Sequence, residues 1–122
     1  SVLTAGDIDR DGDLDIVLVD NSENYLIYYR NDLSNSNHYL GIKLESTGAN
    51  RHGIGAWITV TTPLGSQVRE IHAGNNYVSQ NPAEAHFGLA SATTADVEGR
   101  WPDGGVTSLS AVAVDQLLTV SE

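Results

Sequence analysis

Residues 7–15 read Asp7-Ile8-Asp9-Arg10-Asp11-Gly12-Asp13-Leu14-Asp15, with an aspartate at every second position. Carboxylates this close together repel one another unless a cation lies among them. Calcium takes about six to eight oxygen ligands at roughly 2.3 to 2.6 Å, and it tolerates the irregular cage that a flexible loop builds. The stretch therefore predicts a Ca²⁺ site. The alternative is an acidic, solvated turn that holds no ion.

The spacing within this loop assigns a role to each position. In calcium loops that begin D-x-D-x-D-G, positions 1, 3 and 5 give side-chain oxygens, position 6 is a glycine at the sharp turn, and position 7 gives its backbone carbonyl. An EF-hand is excluded, because its position 12 requires a glutamate and this chain has Leu18 there. The predicted metal ligands are Asp7, Asp9, Asp11, Asp13 through its carbonyl, and Asp15.

Short strands flank the loop on both sides. Residues 1–5 precede it, and Ile16-Val17-Leu18-Val19 follows it as an apolar run typical of a buried strand. The polar turn at residues 21–24 then leads into a third strand at residues 25–30. Three strands with apolar second and third members cannot cover both of their faces alone. We therefore predict that residues 1–35 are a short β-meander from a propeller blade or a larger sheet.

A polar linker at residues 31–37 marks the predicted boundary with a second unit, residues 36–122. His38–Glu45 alternates apolar and polar side chains, which is the period-two pattern of a half-buried strand. Further strands are predicted at residues 56–62, 67–73, 77–80, 85–89, 96–101, 106–112 and 116–120. No segment carries an apolar stripe at helical spacing, so we predict an all-β chain whose C-terminal domain is a β-sandwich or barrel.

The arm at residues 67–73 is the one ambiguous strand. Val68 and Ile71 have opposite parity, so they cannot both face the core of a regular strand. The pattern leaves open a β-bulge or a strand that contacts water on neither face.

The composition excludes several classes of function. The formal net charge is -10 and the sequence pI about 4.5, which disfavours nucleic acid and anionic membrane surfaces as partners. The chain has no cysteine, and no apolar run approaches the roughly 20 residues of a membrane span. Because it starts directly in strand-like sequence, we expect it to be a C-terminal piece of a longer protein.

Two parts of the first unit resemble one FG-GAP or VCBS repeat, a propeller-blade unit that carries a calcium loop. They are residues 6–16, which contain the aspartates, and Tyr28-Tyr29-Arg30-Asn31-Asp32. The resemblance implies the same five ligands that the spacing predicts, together with a structural role for the ion.

Four motifs of the second unit resemble the ASPIC/UnbV domain, which occurs at the C-terminus of cartilage acidic protein and of many bacterial secreted proteins, usually directly after such repeats. They are residues 48–56 (GANRHGIGA), 74–80 (GNNYVSQ), 86–89 (HFGL) and 101–104 (WPDG). One departure is Ala90, where the family usually has glycine after His-Phe-Gly-Leu. The resemblance implies an extracellular or cell-surface β-domain of undefined biochemical role.

Catalytic motifs are missing from the sequence. The four histidines form no H-E-x-x-H or His-x-His pair, and no G-x-S-x-G elbow is present. We therefore predict a non-enzymatic, calcium-binding extracellular structural or interaction module, secreted or held at the cell surface. The alternative is a carbohydrate- or protein-binding β-sandwich module of a larger secreted protein, with Trp57, Trp101 and Tyr77 as the aromatic candidates. Exposed strand edges in the first unit also predict a homodimer.

Overall fold

The computed structural model describes residues 2–33, 36–74 and 81–122, and within these ranges the chain forms ten β-strands and no helix. The all-β prediction is confirmed. No helix in the described ranges could therefore cross a membrane. The predicted extended piece at residues 77–80 lies outside them. The strands are β1 Val2–Gly6, β2 Asp15–Asp20, β3 Tyr25–Tyr29, β4 His38–Glu45, β5 Trp57–Thr62, β6 Gly65–Glu70, β7 Glu84–Ala90, β8 Thr94–Arg100, β9 Val106–Ala113 and β10 Gln116–Ser121.

The chain divides into two compact units. Unit 1 contains Ser1–Asn35 together with Ala73–Pro82, and unit 2 contains Ser36–His72 and Ala83–Glu122. Residues 73–82 therefore belong to unit 1, although the residues before and after them in the sequence belong to unit 2. Asn81 shows how this segment is held, because its Oδ1 accepts hydrogen bonds from Thr4 Oγ1 (3.1 Å) and Ala5 N (2.9 Å).

Unit 1 is an antiparallel meander with strand order β1-β2-β3. Leu18 lies opposite Leu3 on β1 and Ile27 on β3, so these three side chains share one face. Ile16 lies on the same face beside Tyr29. Leu3, Ile16 and Tyr29 are 45%, 40% and 56% exposed, so this apolar face is only partly covered.

Unit 2 has two sheets with strand orders β10-β4-β7 and β6-β5-β8-β9. Strand β4 lies in the middle of the first sheet, paired in parallel with β10 and antiparallel with β7. The second sheet is antiparallel throughout. Neither sheet closes on itself in the described ranges, so the sandwich form of the prediction is confirmed and the barrel form is not.

One hydrophobic core joins the inner faces of these two sheets. Leu40, Ile42 and Leu44 of β4 are buried, and Ile58 and Val60 of β5 belong to the same cluster. The alternate residues of β5 face outward, which is the pattern that period-two side-chain alternation produces. The predicted faces of β5 are observed, and so is the predicted inward face of β4, whereas Gly41 on its other face is buried against Leu117 of β10.

The ambiguous strand proves to be an edge strand with polar residues on its inner face. Its pairing with β5 is unbroken from Gly65 to Glu70, and Ile71 continues it by donating to the Ala56 carbonyl (2.9 Å). Ile71 is buried and Val68 is 49% exposed, so neither a bulge nor a strand buried on both faces is present. On the inner face, Gln67 Nε2 donates to the Gly88 carbonyl of β7 (2.7 Å), and the Arg69 guanidinium lies 5.1 Å from the Phe87 ring centroid. These contacts close the sandwich along this edge.

Candidate metal centre

The acidic loop connects β1 to β2 and ends at a fully buried carboxylate. Asp15 is the first residue of β2, lies opposite Gly6 of β1, and is 0% exposed. The loop reverses direction with Arg10 and Gly12 at positive φ (63° and 97°), as the predicted sharp turn at glycine requires. The spacing of the aspartates therefore brings the start of the loop back to its end.

Three hydrogen bonds hold the buried Asp15 carboxylate. Its Oδ1 accepts from Asn31 N (2.8 Å), and its Oδ2 accepts from Ile8 N (3.1 Å) and from the Tyr28 hydroxyl (3.2 Å). Burial alone would raise the pKa of Asp15. The bonds from Asn31, Ile8 and Tyr28 stabilise the charged form, however, and hold the pKa below its ordinary value. Asp15 is thus a buried anion whose orientation is fixed from three directions.

Asp7 and Asp9 bring their carboxylates to Asp15. One oxygen from each of the three residues lies within 4.8 Å of the other two. Asp7 Oδ2 accepts from Gly12 N (3.1 Å), whereas Asp7 Oδ1 is buried and has no hydrogen-bond partner in the described part of the chain. A buried oxygen without a donor is costly, and a cation would satisfy it.

The raised pKa of Asp9 also indicates that negative charge is concentrated at this site. Partial desolvation raises the pKa of Asp9, and the negative charges of Asp11 and Asp15 add to the rise. The Asp11 N–H, at 3.2 Å, opposes the rise by donating to Asp9 Oδ1. The three carboxylates therefore form a site of concentrated negative charge.

The other two predicted ligands, Asp11 and Asp13, lie outside the group formed by Asp7, Asp9 and Asp15. Asp11 is exposed, and its Oδ1 accepts from Asp13 N (2.9 Å), which stabilises the turn. Neither Asp11 nor Asp13 belongs to the three-carboxylate group. The structure thus brings together three of the five predicted residues, and the roles of Asp11 and of the Asp13 carbonyl stay predictions.

The geometry of the three-carboxylate group fits calcium. Because each calcium–oxygen distance is roughly 2.3 to 2.6 Å, two oxygens on opposite sides of one ion lie up to about 5 Å apart. The separation within the group falls inside this limit. All the donors are hard carboxylate oxygens, which suit calcium or magnesium and not a soft transition metal.

Two residues that support the site could not be identified from the spacing of the aspartates. Tyr28 and Asn31 lie at and just beyond the end of β3 and contribute no carboxylate, yet both donate to Asp15. The available signal was the resemblance of residues 28–32 to the second part of a calcium-loop repeat. The same segment is stabilised by Arg30, whose guanidinium makes a two-point ion pair with Asp32 (2.6 and 3.1 Å).

The histidines and tryptophans of unit 2 have distinct environments. His38 Nδ1 lies 2.6 Å from Asp115 Oδ2, and the His86 ring stacks on Tyr39 at 5.8 Å between centroids. Trp101 is buried and its Nε1 donates to Thr107 Oγ1 (2.9 Å), so it is part of the core. Trp57 is 49% exposed. Tyr77, the third aromatic candidate, lies outside the described residues.

A comparison with protein-family models assigns the second unit. The model described as ASPIC and UnbV matches residues 46–122, which is more than half of the chain. The chain belongs to the ASPIC and UnbV family. No curated protein matches it.

The family match can be placed on the fold of unit 2. It begins one residue after β4, so it leaves out the central strand of the β10-β4-β7 sheet. Two of the motifs that resemble the family, GANRHGIGA and WPDG, line one cavity of about 210 Å³ together with Ser46 and Glu122. Gly53 has a φ of 64°, and a Cβ there would lie 2.8 Å from Leu44 Cδ1 and 3.2 Å from the Trp101 ring. The ASPIC and UnbV motifs thus include a position at which both the backbone φ and the packing against Leu44 and Trp101 favour glycine.

Proposed function

We propose that this chain is a non-enzymatic, calcium-binding structural module of an extracellular protein, in which a partial FG-GAP or VCBS repeat precedes the ASPIC and UnbV domain. The observation that carries the proposal is the buried Asp7 Oδ1, which has no donor in the described part of the chain and belongs to a carboxylate that groups with those of Asp9 and Asp15. Extracellular placement is part of the proposal and agrees with the affinity that is typical of calcium loops in extracellular modules. Calcium loops of extracellular modules bind with Kd on the order of 10⁻⁴ to 10⁻³ M, so calcium outside cells fills them.

The module acts by fixing the junction between two strands. Calcium would be held by Asp7, Asp9 and Asp15, with Asp11 and the Asp13 carbonyl as predicted further ligands, and it would neutralise their mutual repulsion. Asp15 is already oriented by Asn31 and Tyr28. Binding at Asp15 therefore connects the loop to the end of β3 as well as to β2. An ion that binds only the folded form stabilises it by about 2.7 kcal/mol at a hundredfold excess over Kd.

Calcium titration by calorimetry, with a thermal melt in EDTA and in calcium, tests the proposal. We expect a one-site isotherm with Kd on the order of 10⁻⁴ to 10⁻³ M and a higher melting temperature with the ion. Asp9→Asn is the diagnostic variant, because asparagine keeps an oxygen for the Asp11 N–H while it removes a ligand charge. We expect its calcium affinity to fall by at least about tenfold.

Asp20→Asn is the matched control. Asp20 lies at the other end of β2, and its Oδ1 accepts from Ser22 N (2.9 Å), so it has the same local turn role and the same charge. This variant should bind calcium as the unmodified chain does. Equal affinity for the two variants, or no calcium effect on the melt of the unmodified chain, would exclude the proposed site.

A second candidate function is supported by Trp57. A carbohydrate- or protein-binding sandwich requires an aromatic side chain that is accessible on a sheet face. Trp57 is 49% exposed on the outer face of the β6-β5-β8-β9 sheet. This function would add to calcium binding, since the two sites lie in different units.

A further inference from the structure

The outer face of the β6-β5-β8-β9 sheet has one large aromatic residue with charged groups directly on both sides of it and the exposed Val68 and Val106 nearby. Trp57 lies opposite Arg100 of β8 on one side and Glu70 of β6 on the other. Thr59 is the next residue on the same face of β5, and it lies opposite Glu98 and Val68. Because directly opposite side chains are roughly 5 Å apart at Cβ, Arg100 and Glu70 flank Trp57, and Thr59, Glu98 and Val68 lie two positions further along the same face.

Several of these polar groups are available to a ligand. In the described part of the chain, Arg100, Glu98 and the Thr59 hydroxyl make no ion pair or side-chain hydrogen bond. They offer a donor, an acceptor and a hydroxyl that can be either. Glu70 has only a long contact with His72, 3.7 Å from its Nε2. The face thus combines a flat apolar ring with unused hydrogen-bonding capacity.

We propose that this surface, defined by Trp57, Thr59, Glu70, Glu98 and Arg100, binds a neutral saccharide. The proposal deepens the second candidate function and does not depend on the calcium site. A pyranose ring has an apolar face of C–H groups, which stacks on an indole. Its rim of hydroxyls both donates and accepts, which matches the mixed donors and acceptors around Trp57.

The surroundings of Trp57 disfavour the other kinds of ligand. A protein-binding hot spot places its tryptophan among apolar contacts that exclude water, whereas here the directly opposite residues are Arg100 and Glu70. Burying those charges against a protein without partners would be costly. An anionic glycan is disfavoured too, because Glu70, Glu98 and Asp96 outnumber Arg100 on this sheet face and the whole chain carries -10.

An NMR titration of the full chain gives a direct test with an internal control. The probes are neutral hexasaccharides of glucose, mannose and galactose, and sulfated versions of each. Trp57 and Trp101 each give one indole N–H signal. We expect a neutral saccharide to shift the Trp57 signal saturably, with Kd on the order of 1 mM for so open a face. The Trp101 signal, buried and bonded to Thr107, should not move.

Variants determine whether Trp57 carries the binding. Trp57→Ala should weaken saccharide binding by at least about tenfold. Val106→Ala, at a position opposite Arg100 and 52% exposed, should leave it within about twofold. An unshifted Trp101 signal in each variant shows that the fold is intact. Unchanged affinity in Trp57→Ala would overturn the proposal.

Three further outcomes would also overturn it. They are no shift of the Trp57 signal with any neutral saccharide, a response to the sulfated forms alone, and a shift that follows protein concentration without sugar, which would indicate a protein interface. Asp9→Asn separates this proposal from calcium binding, because it should lose calcium affinity and keep saccharide affinity. The absence of calcium binding and the absence of saccharide binding can therefore be distinguished.

Discussion

The meander of unit 1 and the sandwich of unit 2 bury opposite kinds of side chain. Among the described residues, all fifteen buried hydrophobic ones belong to unit 2, from Leu40 to Val120. In unit 1 the one fully buried large side chain of the described residues is a carboxylate, Asp15. The described leucines and tyrosines of unit 1 are half-buried or exposed, as Leu26 at 72% illustrates. A small β unit can thus be organised around apolar packing or around a buried anion.

The difference predicts different sources of stability. Burying an apolar side chain such as Phe87 contributes about 1.5 to 3 kcal/mol, and unit 2 contains many such residues. Unit 1 depends on hydrogen bonds to Asp15 and, by our proposal, on calcium. Hydrogen bonds to a charged group contribute about 1.5 to 3 kcal/mol each. Each unit should therefore respond to its own perturbation and not to that of the other.

The largest expected effect is the loss of unit 2 when its chain is cut at the family boundary. A fragment of residues 46–122 lacks β4, whose Leu40, Ile42 and Leu44 are buried between β10 and β7. We expect no cooperative thermal transition by circular dichroism for this fragment. The control is residues 36–122, which retain β4 and should melt cooperatively. A cooperative melt of the shorter fragment would show that the core does not require β4.

Asp15→Asn should destabilise unit 1 alone. Asparagine replaces one carboxylate oxygen with an NH₂ group, which would face the N–H of Ile8 or Asn31 or the Tyr28 hydroxyl. In EDTA, so that calcium plays no part, we expect the β1 to β3 amides to exchange hydrogen as if destabilised by about 1.5 to 3 kcal/mol.

Two readings decide the Asp15→Asn experiment. The β4 and β5 amides should keep their protection, and Asp20→Asn should leave both units within about 0.5 kcal/mol. Equal loss of protection in both units would mean that they unfold as one. It would contradict the expectation that each unit is stabilised by its own interactions.

Sequence reasoning captured the local parts of both units. The apolar run at residues 16–19 identified β2, although Ile16 and Val19 are exposed and not buried as predicted. The period-two pattern gave β4 with the bounds that the structure has, because side chains alternate on any strand. It could not give the parallel pairing of β10 with β4, which depends on residues distant in the chain. Nor could it decide the faces of Val68 and Ile71. Their strand is an edge, where polar Gln67 and Arg69 occupy inward positions that a regular pattern reserves for apolar residues.

The candidate site was predictable to a similar extent. Aspartates two residues apart were enough to identify the loop, because the ligand positions of a calcium loop are close in sequence. The convergence on Asp15 was not visible from the spacing, because Asn31 donates through its backbone and Tyr28 through a hydroxyl. Such donors have no characteristic residue type.

We expect two copies of the chain to associate through the exposed edge strand of unit 1. Strand β3 is an edge of the meander, and Leu26 on it is 72% exposed. We expect the light-scattering mass of the chain to rise above 13.0 kDa with concentration and Leu26→Lys to abolish the rise, because an edge lysine blocks strand pairing. Leu64→Lys is the control in unit 2, at a turn position that is 65% exposed. A constant monomer mass up to about 1 mM would exclude association through this edge.

The smallest expected effect concerns Ala90, where the resemblance to the family predicts glycine. Ala90 ends β7 with a φ of 50°, in the left-handed region where a Cβ costs about 1 to 2 kcal/mol. Glycine avoids that strain and loses roughly 0.5 to 1 kcal/mol in backbone entropy. Ala90→Gly should therefore stabilise unit 2 by about 0.5 kcal/mol in urea melts, with unit 1 amide exchange unchanged. Ala113→Gly, at an exposed position of β9 without positive φ, should destabilise unit 2 by about the same amount. If both variants were destabilising, the strain at Ala90 would be too small to explain the glycine of the family.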